Sequence, residues 1–333
     1  LLARERMRRN IAAMSDKARR SAVLFRPHFK THQSPAIGEE FRKAGVTAIT
    51  VSSVEMAERF AQAGWRDITI AFPVNLLEVE ELRALARRVS LGLLVESQES
   101  VEFLRARLAE PVGVWIKVDT GTHRTGVLAS DREAIVRLVH RMEGCKALRF
   151  RGLLSHSGHS PGPDSREEAL RRHREEAATL NAMRDFLVAR GIGPVLLSVG
   201  DTPSCSLVER FEGVDEVRPG TFVFYDLTQL AIGSCTEEQI ALAVACPVVA
   251  KHLERGEVVL YGGAVHLSKD FLEADGVRQY GAPAERLATG GWGRILESSY
   301  LRGLSQEHGI LKAAPRAFEA ARIGDWIPVI PAH

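Results

Sequence analysis

The sequence predicts an α/β protein, with a (β/α)8 barrel over residues 1–233 followed by a smaller, mainly β domain over residues 234–333. Three observations lead there. Short β-branched, apolar runs alternate with longer Ala/Glu/Arg-rich runs, which is the pattern of parallel strands joined by helical crossovers. Eight such runs fit within about 225 residues, matching a closed barrel better than an open doubly wound sheet. The residues able to do chemistry fall just after nearly every apolar run, where the loops of a barrel converge on one face. After Leu227 the rhythm changes to apolar runs joined by turn residues, with "ERGE" as a hairpin candidate.

The elements can be taken in chain order. Residues 1–20 carry helical spacing of apolar positions. The strand candidates are "SAVLFRPHFK", "VTAITVSS", "DITIAFPV", "VSLGLLVE", "VGVWIKVDTG", "FRGLLSHSGH", "PVLLSVGDTP" and "EVRPGTFVFYD". Helices are expected over Val54–Gly64, Leu77–Arg88, Ser97–Leu108, Asp131–Met142 and Ser165–Arg190. Several of these open on Ser or Asp and end near Gly, as capped helices do.

The totals narrow the classes of function. A chain of 333 residues, 45% hydrophobic and 26% charged, has ample length for a core. A net charge of +2 with interleaved signs argues against nucleic acid or a membrane surface as partner. No apolar stretch reaches the length of a membrane span. The four cysteines form no CxxC pair, so a reducing, cytoplasmic setting is expected.

Chemistry-bearing residues concentrate in a few places. In "LFRPHFKTHQSP" an apolar run breaks into Arg26, His28, Lys30 and His32. Cations around Lys30 would lower its pKa and favour the free amine that covalent carbonyl chemistry needs. An exposed loop lysine or a simple anion cluster would look the same. "LSVGDTPS" runs a strand into Gly200, Thr202 and Ser204, the small residues of a phosphate cradle or of an ordinary turn. Asp201 in that stretch would have to turn its side chain away from a phosphate. Arg124, between Gly121 and Gly126, could bond a ring nitrogen or a carboxylate, or cap barrel carbonyls. His156 and His159 flank Gly158 and suit a base more than a metal pair. His266 is a candidate to face the site from the second domain.

Together these motifs resemble those of the D-threonine aldolase / D-serine dehydratase family, over essentially the whole chain. "RPHFKTH" is similar to the family's R-P-H-x-K-T-H, "DTGTHRTGV" to D-x-G-x-x-R-x-G-V, and "EVRPGTFVFYD" to R-P-G-x-Y-x-F-x-D. "LSQEHG" and "IGDWIPVIPAH" resemble its second-domain motifs. The resemblance implies a fold-type III pyridoxal 5'-phosphate (PLP) enzyme with an alanine-racemase-like barrel. Lys30 would carry the cofactor covalently. Ser198, Gly200, Asp201 and Thr202 would bind its phosphate, and Arg124 and Tyr225 would belong to the cofactor site. His156 and His159 would serve catalysis. His333 would be the first ligand of a divalent metal, zinc or manganese. The implied reaction is lysis of a D-β-hydroxy amino acid by a homodimer. A PLP-dependent racemase, a non-catalytic PLP carrier and a metal-dependent barrel hydrolase are the alternatives. Phe222 replaces a usual Tyr, "VGDTPS" replaces Gly-Gly-Thr, and "SHSGH" matches neither the aldolase nor the dehydratase loop.

Overall fold

The computed structural model describes residues 1–156, 165–274 and 276–333. The backbone divides into two compact units, one of residues 11–158 and 168–221, the other of residues 1–10, 159–167 and 222–333.

The first unit is built on parallel strands β1 (Leu24–Phe25), β2 (Ala48–Val51), β3 (Asp67–Pro73), β4 (Ser90–Val95), β5 (Val112–Asp119), β6 (Val127–Leu128), β7 (Leu148–Leu154), β8 (Leu196–Val199) and β9 (Glu216–Val217). The sheet order is β1-β9-β8-β7-β5-β4-β3-β2, with β6 paired to β5 outside that path. Closure comes from a single bridge between His28 and Thr50. There the Thr50 amide donates to Pro27 O at 3.0 Å, and Thr50 Oγ1 donates to Arg26 O at 2.9 Å. The result is a nearly closed eight-stranded parallel barrel, as the strand count predicts. Its strands read as continuous apolar runs because both faces are covered; every residue of Ala48–Val51 is buried.

The crossover helices include α2 (Pro35–Lys43), α3 (Val54–Gln62), α4 (Val79–Ala86), α5 (Gln98–Arg107), α6 (Arg132–Met142), α7 (Arg166–Val188) and α8 (Thr202–Leu207), and α1 (Arg4–Arg20) precedes them. Side-chain caps start several of them: Ser34, Ser53, Ser97, Asp131 and Asp201 each accept an amide from the first helical turn.

Two expected strands are much shorter than read. Only Leu24–Phe25 and Glu216–Val217 pair. Beyond them "RPHFK" and "RPGTFVFYD" form no regular ladder, because Pro27 and Pro219 offer no amide, and the His28–Thr50 bridge is isolated. Lys30 therefore sits in a 3-10 turn, Phe29–Thr31, rather than at a strand end.

The second unit carries an antiparallel sheet ordered β15-β14-β18-β10-β11-β17-β16. Its strands are β10 (Val244–His252), β11 (Glu257–Tyr261), β14 (Gly281–Arg286), β15 (Trp292–Ile295), β16 (Tyr300–Leu304), β17 (His308–Lys312) and β18 (Trp326–Pro331), with β12 (Leu272–Ala274) and β13 (Val277–Gln279) as a separate hairpin. Cys246, Val248, Val258, Leu260, Leu301, Leu311 and Val329 form its core. Helices α9 (Leu227–Ile232) and α10 (Pro315–Ala320) complete it. The "ERGE" hairpin joins β10 to β11 through a left-handed Gly256.

Candidate active site

Lys30 gathers the chemistry of the first unit. Its side chain reaches solvent, and it has no hydrogen-bond partner among the described residues. Its pKa is lowered, first by the protein packed around it and then by the charges of Arg124 and Arg218. The sequence assigned that effect to Arg26, His28 and His32, and the structure corrects it. Arg26 is 3% exposed and turned inward, bonding Glu216 at 2.5 Å and Asp67 at 2.6 Å. Its own pKa is raised, because those two carboxylates outweigh the burial. His28 is driven well below the usual histidine range, chiefly by burial and then by Lys30 and Arg218. His32 is pulled down to about 3 by burial. Its ring packs against Phe29 at 4.4 Å and Phe41 at 5.6 Å, and its Nδ1 accepts the Ser34 amide at 3.1 Å. Both imidazoles belong to the Lys30 turn itself: His28 caps its start, its Nδ1 accepting the Lys30 amide at 3.3 Å, and His32 stands at its end.

His156 lies at the end of β7, and its pKa is lowered to about 4, above all by burial. Nδ1 lies 3.0 Å from Gly200 O. A carbonyl only accepts, so Nδ1 carries the proton and Nε2 is left with the lone pair of a base. His159 lies outside the described residues.

The stretch after β8 splits in two. Gly200 has φ +130°, and a Cβ there would lie 2.8 Å from the Arg218 amide and 3.3 Å from Cys205 Sγ. Only glycine fits this cradle. The Asp201 carboxylate turns into the first turn of α8, accepting Ser204 N at 2.8 Å and Ser204 Oγ at 2.9 Å. That is the turning away a phosphate site would require. Ser198 is different. Its hydroxyl is fully buried, donating to Glu216 Oε1 at 2.6 Å and accepting from Arg218 Nε at 2.7 Å. It supports Arg218, and its one proton is spent on Glu216, so the hydroxyl has none to donate to a phosphate.

Arg218 is the main residue that the sequence reading missed. It donates through Nη2 to the Ser155 and Ser198 carbonyls. Its charge acts on Lys30, His28, His156 and the buried Lys117, whose pKa falls to about 8, mostly by burial and then through Arg218. The signal was present, since Arg218 opens the "RPG" stretch directly after a strand. Gly220 was missed likewise; a Cβ there would lie 2.9 Å from Thr31 Oγ1 and 3.0 Å from His28 O, so the loop after β9 lies against the Lys30 turn.

Arg124 follows β5 on a loop shaped by Asp119, which accepts the amides of Gly121 at 2.9 Å and His123 at 3.1 Å. Tyr225 and His333 belong to the second unit. Tyr225 is buried with φ +51°, a strained value for a residue with a side chain. His333 Nδ1 lies 2.8 Å from Asp226 Oδ2, and Asp226 is buried. His266 is exposed and packs on Tyr261 at 5.1 Å.

These residues fit PLP. A lysine with a lowered pKa stands ready to bind an aldehyde, two guanidiniums act on it, and a glycine cradle fitting a phosphate lies beside His156. A divalent metal is less well provided for. Among the described residues no three His, Cys, Asp or Glu side chains converge, and His333 with its carboxylate partner is one anchored ligand.

Two results are expected of this arrangement. Gly200→Ala should weaken PLP retention by about tenfold or more, since the loop must shift away from Arg218; equilibrium dialysis of the cofactor measures it. Histidines held neutral when folded stabilise fully above about pH 6.5. As pH falls the unfolded chain protonates first, so stability drops between about 6.5 and the folded values of about 3 and 4 for His32 and His156. Urea midpoints should fall steeply from pH 6.5 to pH 4.5, and His32→Asn should flatten that slope.

The chain matches known proteins along its length. Residues 2–228 match the family model "Alanine racemase, N-terminal domain", and residues 241–333 match a serine dehydratase domain. It is 34% identical to D-threo-3-hydroxyaspartate dehydratase of Delftia sp. (strain HT23), covering 99% of this chain and 88% of that one. It is 27% identical to D-serine dehydratase of Dictyostelium discoideum, over 98% and 87%. The crystal structure of the Delftia enzyme superposes with a TM-score of 0.89, covering 100% of this chain and 89% of that one at 32% identity. A cysteine-to-alanine variant of that enzyme has been described in a metal-free form. D-threonine aldolase from Filomicrobium marinum superposes with a TM-score of 0.80 at 25% identity, over 100% and 86%. No helix among the described residues is long and apolar enough to cross a membrane. The chain belongs to the D-serine dehydratase / D-threonine aldolase family of PLP-dependent lyases, which share the alanine-racemase-like fold.

Proposed function

We propose that the protein is a dehydratase-type lyase of D-β-hydroxy amino acids, with Lys30 as the residue that carries PLP and moves the Cα proton. The observation that carries this reading is the Lys30 amine, its pKa lowered by burial and by the charges of Arg124 and Arg218, together with a His156 whose tautomer Gly200 O fixes. Bound PLP supplies the electron sink that lets a bond to Cα break. The protein's own groups do the rest. Lys30 Nζ, available unprotonated, takes the proton from Cα. His156 Nε2 is the second base of the site; holding a lone pair and no proton, it cannot protonate a departing β-hydroxyl, a task that would fall to a bound zinc or manganese ion acting as Lewis acid. Arg124 pairs with a substrate carboxylate. The amides and hydroxyls around Gly200 and Thr202 hold the cofactor phosphate. His333, its ring held by Asp226, is the residue that a zinc or manganese ion would engage.

Dehydration is favoured over aldol cleavage because the Delftia dehydratase is 34% identical to this chain, against 25% for the D-threonine aldolase that covers it equally well. A homodimer is proposed as the working form, and light scattering at twice the chain mass is the expected result. The test of function is a panel of D-threo-3-hydroxyaspartate, D-serine, D-threonine and D-alanine, with PLP and added zinc or manganese. Ammonia and an oxo acid in equal amounts from the first two substrates are expected. Glycine and an aldehyde would mean aldol cleavage, and only L-alanine from D-alanine would mean a racemase.

A further inference from the structure

A chain of polar groups runs inward from the half-exposed Asp67 of β3 to buried residues at β9. Asp67 Oδ1 accepts from Arg26 Nη1 at 2.6 Å, Arg26 Nε donates to Glu216 Oε2 at 2.5 Å, and Glu216 Oε1 accepts the Ser198 hydroxyl at 2.6 Å. Ser198 in turn accepts Arg218 Nε at 2.7 Å. Arg26, Glu216, Ser198 and Arg218 are all at most 4% exposed. The direction of every bond is fixed. A carboxylate facing Arg26 can only accept, so Ser198 must point its proton at Glu216, and its lone pair is what Arg218 receives. A buried ion network of this kind is poor evidence of stability, because apolar residues of the same volume often do as well. Its value lies in specifying one orientation, and the group oriented here is Arg218.

We propose that Arg26, Glu216 and Ser198 are positioning residues that hold the Arg218 guanidinium in the place from which it acts on Lys30 and His156. This rests on the functional reading above. It also gives the arginine of "RPHFKTH" a role, which is to clamp Glu216, the first residue of β9, from the position just after β1. Arg218 is faced by Glu216 and Arg26, by Glu176 of α7 and by Cys205 of α8. On the site side it acts on His28, Lys30, Lys117 and His156.

The test uses full-length, PLP-loaded protein with Glu216→Gln and Ser198→Ala, each followed by absorbance against pH and by steady-state kinetics. Glu216→Gln keeps an acceptor for Ser198 but removes a negative charge, so Arg218 acts on Lys30 less compensated. The pH midpoint of the Lys30-linked cofactor band should move down by roughly half a unit or more. Ser198→Ala keeps every charge but removes the Nε contact that links the guanidinium to Glu216, leaving Nη2 on two carbonyls, so kcat should fall about tenfold or more while KM changes less than about threefold. If Glu216→Gln does not fold, Ser198→Ala decides. Folded variants with the parent's midpoint and kcat, whatever their melting temperature, would overturn the inference alone. A parent that forms no such band would overturn the functional reading and this inference with it.

Discussion

Lys30→Ala should lower kcat by at least about 10⁴-fold and abolish the covalent attachment of PLP, while the protein folds as before. The reasoning is structural. Lys30 sits on a 3-10 turn whose fold is held by its neighbours, with Phe29 buried against Phe41, Phe60 and Trp65. The lysine side chain itself reaches solvent, so removing it leaves that packing intact. What is lost is the exposed amine on which both guanidiniums act; Lys117, which they also affect, is buried. Near-normal circular dichroism with turnover at the limit of detection is the expected pair of results. Activity within about tenfold of the parent would assign the chemistry to another residue.

Arg218→Met should destabilise the fold by about 3–5 kcal/mol, the range for removing one partner of a buried ionic group. The substitution roughly keeps the volume but strips three hydrogen bonds, to Ser198 Oγ, Ser198 O and Ser155 O. It also leaves Glu216 with one arginine instead of two. Glu176 loses a neighbouring positive charge as well, although Lys117 remains close to it. Urea denaturation at pH 7, where the histidine contribution is fully present, measures the loss. A change under about 1 kcal/mol would mean that the network is loosely held and that Arg218 has little mechanical hold on the site. By contrast, Arg124 lies on an exposed loop, and Arg124→Met should affect kinetics with little effect on the urea midpoint.

The fold was largely legible because its signals are local. Alternating apolar runs and Ser or Asp caps report strands and helix starts within a few residues of where they form. The exceptions are the two short strands around Arg26 and Arg218, where proline replaces an amide and no regular ladder continues. The site was legible in part. Lys30, Arg124 and Gly200 stand out by residue type and by position after strands. The source of the Lys30 shift was not, because charges adjacent in sequence point in different directions once folded. Arg26 turns inward to Glu216, 190 residues away in sequence, and His32 turns into an aromatic cluster. The cation that does act, Arg218, is 188 residues from Lys30, and no local pattern links the two. Ser198 shows the same limit. A serine after a strand reads as a phosphate ligand, and only the partners on both sides of its hydroxyl reveal its structural use.

The most direct test of the central claim is to load the protein with PLP, reduce it with borohydride and find the labelled lysine by peptide mass spectrometry. Two lysines in the first unit have lowered pKa values and lie within reach of Arg218, the exposed Lys30 and the buried Lys117. The account predicts one label, on Lys30, in the peptide that contains "RPHFKTH". A label on Lys117, or none with PLP in excess, would contradict it.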